Sequence, residues 1–177
     1  MGKLRTSIAM TVDGVIEVGD WFVSEGDHDR ASFEQFENTA ALVMGRKTYE
    51  GLAGYWAPLE GQWADWINPL PKYVASRTAS EPLEWSAKLI DGDAVEGVAK
   101  LKEELAGDLF LVGCGELARK LVAENLIDDY RFWIHPSVQG AGGRPFESGE
   151  TLRLRLAESK VFDSGVTLLR YEPAVGG

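Results

Sequence analysis

Three short apolar runs, each stopped by a small residue and followed by helix-compatible sequence, constrain this chain most. Ala40–Met44 ends at Gly45, Tyr73–Ala75 at Ser76, and Leu109–Val112 at Gly113. Side chains of a strand alternate between its two faces, so an unbroken apolar run fits a strand covered on both. Helical patterns follow each run. They are Arg46–Leu52, Ala94–Leu105 with apolar residues at 95, 98, 101 and 105, and Gly115–Glu124. Such alternation predicts an α/β fold: a mixed sheet with a parallel centre and helices on both faces. Leu4–Thr11 reads as another strand, extended past Asp13-Gly14 by Val15-Ile16, and Asp27–Glu37 as a short helix. Residues 54–71, with Trp56, Trp63, Trp66 and three prolines, read as an irregular excursion. Arg131–His135 is a further strand. Leu152–Lys160 and Val166–Tyr171 form an antiparallel pair around Asp163-Ser164-Gly165, giving an antiparallel C-terminal edge. The glycine-ended tail from Pro173 is expected to fray.

The 177 residues are expected to form one domain, 1–177, large enough for its own core. Aspartate and glutamate number 28 against 18 lysine and arginine, a net charge of −10. That balance repels phosphate backbones and anionic lipid, which argues against a nucleic-acid or membrane partner and leaves a small molecule. One cysteine and two histidines permit neither a disulfide framework nor a zinc site, so no metal is expected. With no basic-then-apolar leader and no apolar run of bilayer length, the expected location is the cytoplasm.

In parallel sheets ligands sit beyond the carboxyl ends of the strands, so chemistry is sought where strands run into helices. At Gly45-Arg46-Lys47-Thr48 a helix opens with two cations and a hydroxyl. This is either a phosphate seat or a helix start with solvated charges. Ser76-Arg77-Thr78 suits a phosphate monoester, or is a polar turn. Gly113-Cys114-Gly115-Glu116-Leu117 lets a pyrophosphate approach the backbone, or packs a helix closely on a strand; Cys114 reads as a small spacer. Two of the three corners carry arginine, so a phosphorylated dinucleotide is their simplest common ligand.

Met44-Gly45-Arg46-Lys47-Thr48-Tyr49-Glu50 resembles the M-G-R-x-T-[WY]-E segment that seats the NADPH phosphates of dihydrofolate reductases. Ser7–Ile16 is similar to their first strand and nicotinamide loop, which implies cofactor contacts from Val12 and Ile16. The segments 113–118, 134–140 and 142–146 look closer to the reductase domain of the bacterial bifunctional riboflavin-biosynthesis deaminase–reductase. The resemblance covers nearly the whole chain. It implies a dihydrofolate-reductase-like fold, NADPH held by the three corners, and dimers. The implied activity is reduction of 5-amino-6-(5-phosphoribosylamino)uracil; a genuine dihydrofolate reductase and a non-catalytic NADPH-binding protein are the alternatives. Two departures stand out. The H-x-E and P-C-x-x-C signatures of the zinc deaminase are absent, and a glycine pair has become Gly113-Cys114-Gly115.

Adding hydride to a C=N bond requires a proton on nitrogen, so a carboxyl group near the substrate ring is sought. Asp29 resembles the acidic residue of dihydrofolate reductases, and Phe33 shares its helical face at i+4. The competing reading makes Asp29 a favourable first-turn charge. Trp21 either walls the substrate pocket or anchors its loop. His28 reads as a solvated loop residue and His135 as structural. A homodimer is expected through the tryptophan excursion and the edge strands.

Overall fold

A computed structural model describes residues 2–146 and 151–174. In chain order its elements are β1 (Leu4–Thr11), α1 (Asp27–Glu34), β2 (Thr39–Gly45), α2 (Arg46–Trp56), α3 (Gln62–Ile67), β3 (Lys72–Ala75), β4 (Ala87–Leu89), α4 (Ala94–Glu104), β5 (Asp108–Val112), α5 (Glu116–Ala123), β6 (Asp129–His135), β7 (Leu154–Val161) and β8 (Thr167–Pro173). Contacts divide them into two compact units. One comprises the chain up to Leu4 with Asn38–Leu126, the other Arg5–Glu37 with the chain from Ile127 onward.

In the first unit the strands lie in the order β4-β3-β2-β5, all parallel. Ala41, Leu42, Val43 and Met44 are each 0% exposed. Four consecutive buried residues on a strand mean that both faces are covered, as the apolar run predicted. Leu109, Phe110, Leu111 and Val74 extend the same core. Every carboxyl end in this set therefore opens on one edge.

In the second unit β1 runs parallel to β6, while β8 and then β7 add antiparallel strands. Trp133, Phe162, Val166 and Leu168 form its core, with Ala9, Val23 and Ala31 packed against them. Asp129 is 1% exposed and holds both Arg131 (3.3 Å) and Arg170 (2.9 Å), so its buried charge is paired twice. The fold is thus α/β, with parallel strands and an antiparallel C-terminal edge.

The details depart from the sequence reading at several points. Val15-Ile16 is not a strand. The Thr11 N–H donates to the Val15 carbonyl and the Thr11 hydroxyl accepts from the Val15 N–H, closing a turn around Gly14 at φ +85°. Half of the 54–71 segment is helical, because Pro58, Pro69 and Pro71 follow the ends of α2 and α3 rather than interrupting them. α1 stops at Glu34, and Phe36 and Glu37 continue as tighter turns bonded to Phe33 and Glu34. The chain is still bonded at Ala174, whose N–H donates to the Arg153 carbonyl; 175–177, the rest of the tail, lie outside the described residues. Among the described residues no helix is long and apolar enough to cross a membrane.

Candidate nucleotide site

Gly45 at the end of β2, Ser76 after β3, Ile90 after β4 and Gly113 after β5 all line one cleft of about 660 Å³ within the first unit. The three predicted corners meet there. Gly45, Arg46, Lys47, Thr48, Ser76, Arg77, Thr78, Gly113, Gly115, Glu116 and Leu117 are all lining residues. Their local geometry suits an anion. The N-caps of α2 and α5 are Gly45 and Gly115, and neither helix start receives a side-chain hydrogen bond. First-turn N–H groups and the positive end of each helix dipole are left for a ligand. A side chain at Gly45 or Gly115 would meet nothing within 4 Å. Both glycines therefore leave space for a group approaching the backbone.

Gly113 plays a different part. Its φ is +93°, and a Cβ there would lie 2.6 Å from the Thr48 Oγ1, so bare backbone is required against Thr48. Charge on the walls is mixed. Arg46 pairs with Glu50 at 2.8 Å, one turn along α2. Glu116 reaches Lys120 at 3.3 Å and Arg77 at 3.5 Å, all on exposed side chains, and these cations hold its carboxyl below the usual range, Lys120 first. Arg119 also acts on the Glu116 carboxyl, while Lys47 makes no ion pair among the described residues.

Sequence reasoning missed Ile90, Gly92, Asp93, Ala94, Arg119 and Lys120, which also line the cleft. A signal was present in Asp93-Ala94-Val95-Glu96, an acidic N-cap with glutamate three residues on. Asp93 accepts from the N–H groups of Val95 (2.8 Å) and Glu96 (3.2 Å), so α4, unlike α2 and α5, caps itself. Cys114 is not a lining residue. It is half-buried, and burial pushes its thiol up to about 11, in keeping with a spacer between two glycines.

Val12, Ile16, Trp21, Asp29 and Phe33 belong to the second unit. Val12 is 63% exposed. Its loop is laced to the segment after β6: Val12 N–H donates to Ser137 and Ile16 N–H to Gly143. Asp13 accepts from Gly140 (2.7 Å) and Gln139 (3.2 Å) N–H groups and the Thr11 hydroxyl (2.6 Å), the last being the largest influence holding its carboxyl down to about 2. Trp21 anchors this loop: it is 7% exposed and its Nε1 donates to the Glu17 carbonyl at 2.7 Å.

The two first-turn acids of α1 differ. Asp27 ties the helix to the β7–β8 turn by accepting from Asp163 and Ser164 N–H groups. The Asp29 carboxylate makes no hydrogen bond or ion pair among the described residues, and it is half-buried one turn before half-buried Phe33.

His28 corrects the sequence reading: it is buried, at 4% exposure. Its Nε2 bonds the Val23 carbonyl at 3.0 Å, while the Val23 N–H donates to the His135 Nδ1 at 3.0 Å. The two imidazoles lie 5.9 Å apart, edge to face, with Trp21 and Phe22 on the other sides of His135. Burial, helped by His28, holds His135 down to about 4 from 6.5. The unfolded chain therefore binds this proton before the folded one does. Its contribution is whole above pH 6.5 and falls away as pH drops towards 4, about 3 kcal/mol in all. Urea unfolding from pH 7 to pH 4 should show that loss; a flat free energy across the window would refute the account.

These features define an α/β protein of dihydrofolate-reductase-like fold, with an anion-ready cleft at the carboxyl ends of its parallel strands. Residues 2–168 match the RibD C-terminal domain, and the chain belongs to that family. It is 30% identical to YyaP, an uncharacterized protein of Bacillus subtilis, across 96% of this chain and 94% of that one. Among solved structures it is similar to a putative riboflavin biosynthesis protein from Shewanella, with a TM-score of 0.77, 24% identity and coverage of 98% and 99% of the two chains. Acinetobacter baumannii RibD superposes with a TM-score of 0.72 at 15% identity, this chain matching over 98% of its length and spanning 58% of that protein. Among the described residues no group of three or more histidine, cysteine or acidic side chains could hold a metal.

Proposed function

We propose that the protein is a cytoplasmic, NADPH-dependent reductase of a pyrimidine- or pteridine-like substrate, of the 5-amino-6-(5-phosphoribosylamino)uracil reductase type. The observation that carries this is the meeting of two open helix starts and the cations Arg46, Lys47 and Arg77 in one cleft. The residues present fit a phosphorylated dinucleotide: backbone N–H groups and bare glycines suit a pyrophosphate, and the Arg77 fork suits a 2′-phosphate. The Asp93 carboxylate, committed to its own helix, leaves the α4 end to an uncharged part of the ligand.

Bound there, NADPH supplies the hydride. The protein's tasks are to orient both partners, exclude water and place a proton on the substrate nitrogen as its carbon is reduced. Asp29 is the candidate to bind the ring and tune that proton. A free, half-buried carboxylate beside Phe33 is also what a pterin reductase needs, so dihydrofolate reduction is the second reading.

Oxidation of NADPH by purified protein with each candidate substrate tests both readings. Turnover with one names the reaction, and saturable NADPH binding without turnover on either supports a non-catalytic binder. Arg77→Ala should raise the NADPH dissociation constant roughly tenfold or more while leaving NADH little changed. Glu116→Gln, which frees Arg77 and Lys120, should tighten NADPH by a few-fold. Equal effects on the two cofactors would remove Arg77 from the 2′-phosphate.

A further inference from the structure

Between β1 and α1, within the second unit, the chain runs as a strap that is pinned at both ends. At one end the Glu17 carboxylate accepts from the Gly143 N–H, 2.7 and 2.6 Å from its two oxygens. At the other, Asp27 accepts from the N–H groups of Asp163 (2.8 Å) and Ser164 (3.2 Å). Residues 18–26 between these pins form neither helix nor strand. Among them Trp21 is buried, Val23 is half-buried and the rest are exposed.

One residue holds the middle of the strap. The Val23 N–H donates to His135 Nδ1, and the Val23 carbonyl accepts from His28 Nε2, each at 3.0 Å. Among the described residues these are the only hydrogen bonds that residues 20–25 make beyond the strap itself. They fix both tautomers: His135 Nδ1 is bare so that it can accept, and His28 Nε2 carries its proton. Trp21 and Phe22 pack on the His135 ring, with centroids 5.2 and 4.8 Å away, and Thr11 stands opposite it on β1. The charged residues of the strap and of the first turn of α1 are Glu17, Asp20, Glu25, Asp27, Asp29 and Arg30. None of them sets the His135 environment, which burial governs first and His28 second. Asp13, beyond Thr11, is turned to the Gln139 and Gly140 N–H groups, and Lys160 lies over the Phe162 ring that His28 meets edge-on.

We propose that the strap is an acid-released latch: a proton on His135 Nδ1 sets a donor against the Val23 N–H and frees residues 18–26 while the sheet stays folded. Two N–H groups facing each other at that distance repel, and the new cation lies unpaired against Trp21 and Phe22, so it is relieved by reaching water. His28 is not the trigger, because a proton on its bare Nδ1 leaves the Nε2 donor in place. Release is local, because the strap has one buried side chain and two bonds to lose. The Asp163 N–H holds the Asp27 carboxyl below the usual range, so that pin keeps its grip as pH falls. The freed stretch stops just ahead of Asp29.

Hydrogen exchange of the full chain tests this without cofactor or substrate. Mass spectrometry follows peptides covering the strap and Ala41–Met44, with rates corrected for intrinsic exchange at each pH. His135 takes its proton at about 4 when held and near 6.5 when free, so strap protection should fall about a hundredfold from pH 7 to pH 4. Ala41–Met44 should remain far better protected throughout. His135→Asn offers an amide oxygen to the Val23 N–H and cannot titrate, so its strap should keep its pH 7 protection down to pH 4. His28→Gln keeps a donor for the Val23 carbonyl and should release at slightly higher pH, since a neighbouring charge is gone. Flat strap protection in the wild type overturns the proposal, as does loss of strap and core protection in a single step. So does release at the wild-type pH in His135→Asn, or its disappearance in His28→Gln. An asparagine variant that does not fold, or whose strap is already open at pH 7, is replaced by His135→Gln under the same criteria. The imidazole nitrogen NMR signals of the wild type add a second check: protonation of His135 Nδ1 must follow the release curve, and a titration uncoupled from it overturns the latch.

Discussion

Gly113→Val is expected to lower the stability of the protein by about 3–5 kcal/mol and to abolish binding of NADPH. A β-branched residue at φ +93° carries strain of about 1–3 kcal/mol, and pressing its Cβ into a packed neighbour costs about as much again. That neighbour is the Thr48 hydroxyl at 2.6 Å, so the strain falls on the first turn of α2, where the phosphates are proposed to sit. Gly45→Ala is the matching control. Its φ of −79° suits any residue and an added Cβ meets nothing, so stability should change by about 1 kcal/mol or less. Its effect should appear instead as a weaker NADPH dissociation constant, because the methyl group fills the space the ligand needs. Urea unfolding and a cofactor titration on both variants separate the two roles. A Gly113→Val protein with the wild-type midpoint would show that the close approach to Thr48 is not required.

Asp29→Asn should have the largest effect on turnover, and it also tells the two substrate readings apart. Asparagine preserves shape and polarity but cannot titrate. If the substrate is a pterin, the rate should fall by about 10²–10⁴-fold while the affinity for NADPH stays unchanged. If the substrate is a ribosylamino-pyrimidine, reduction takes place at the sugar carbon; the ring carboxylate then only binds, and the loss falls mainly on KM. Steady-state kinetics with each substrate, alongside a cofactor titration, reads the difference. Wild-type kinetics in the variant would leave Asp29 as a helix-start charge and remove it from the chemistry.

The centre of the fold was legible because its signal is local. Ala40–Met44 and Leu109–Val112 are apolar without a break, and a buried parallel strand requires that. β4 was not legible. It has three residues, and exposed Lys88 at its middle breaks the apolar run. Missing that strand hid the fourth wall of the cleft, although Asp93 and Glu96 marked the helix that follows. The other three walls were readable because each is a short run of residues just past an apolar strand. Only those after β2 and β5 lead into a helix; the one after β3 leads to β4. His28 lay beyond such reading. Its burial comes from Phe162 and His135, more than a hundred residues away, and from a hydrogen bond to Val23 that no periodicity encodes. The strand at Val15-Ile16 failed for a related reason: a threonine hydroxyl captured an N–H that a ladder would otherwise have used.

The bare N-caps of α2 and α5 also bear on how this protein can change. Aspartate or serine at Gly45 or Gly115 would give either helix the side-chain cap that α4 already has, a gain of roughly a few tenths of a kcal/mol each. Aspartate there would also fix a negative charge where an anion is proposed to bind. A variant library selected only for thermal tolerance would therefore be drawn to these two glycines, and the winners would be sturdier proteins that had lost their ligand. Conservation of both glycines against that pull would mark them as residues kept for function.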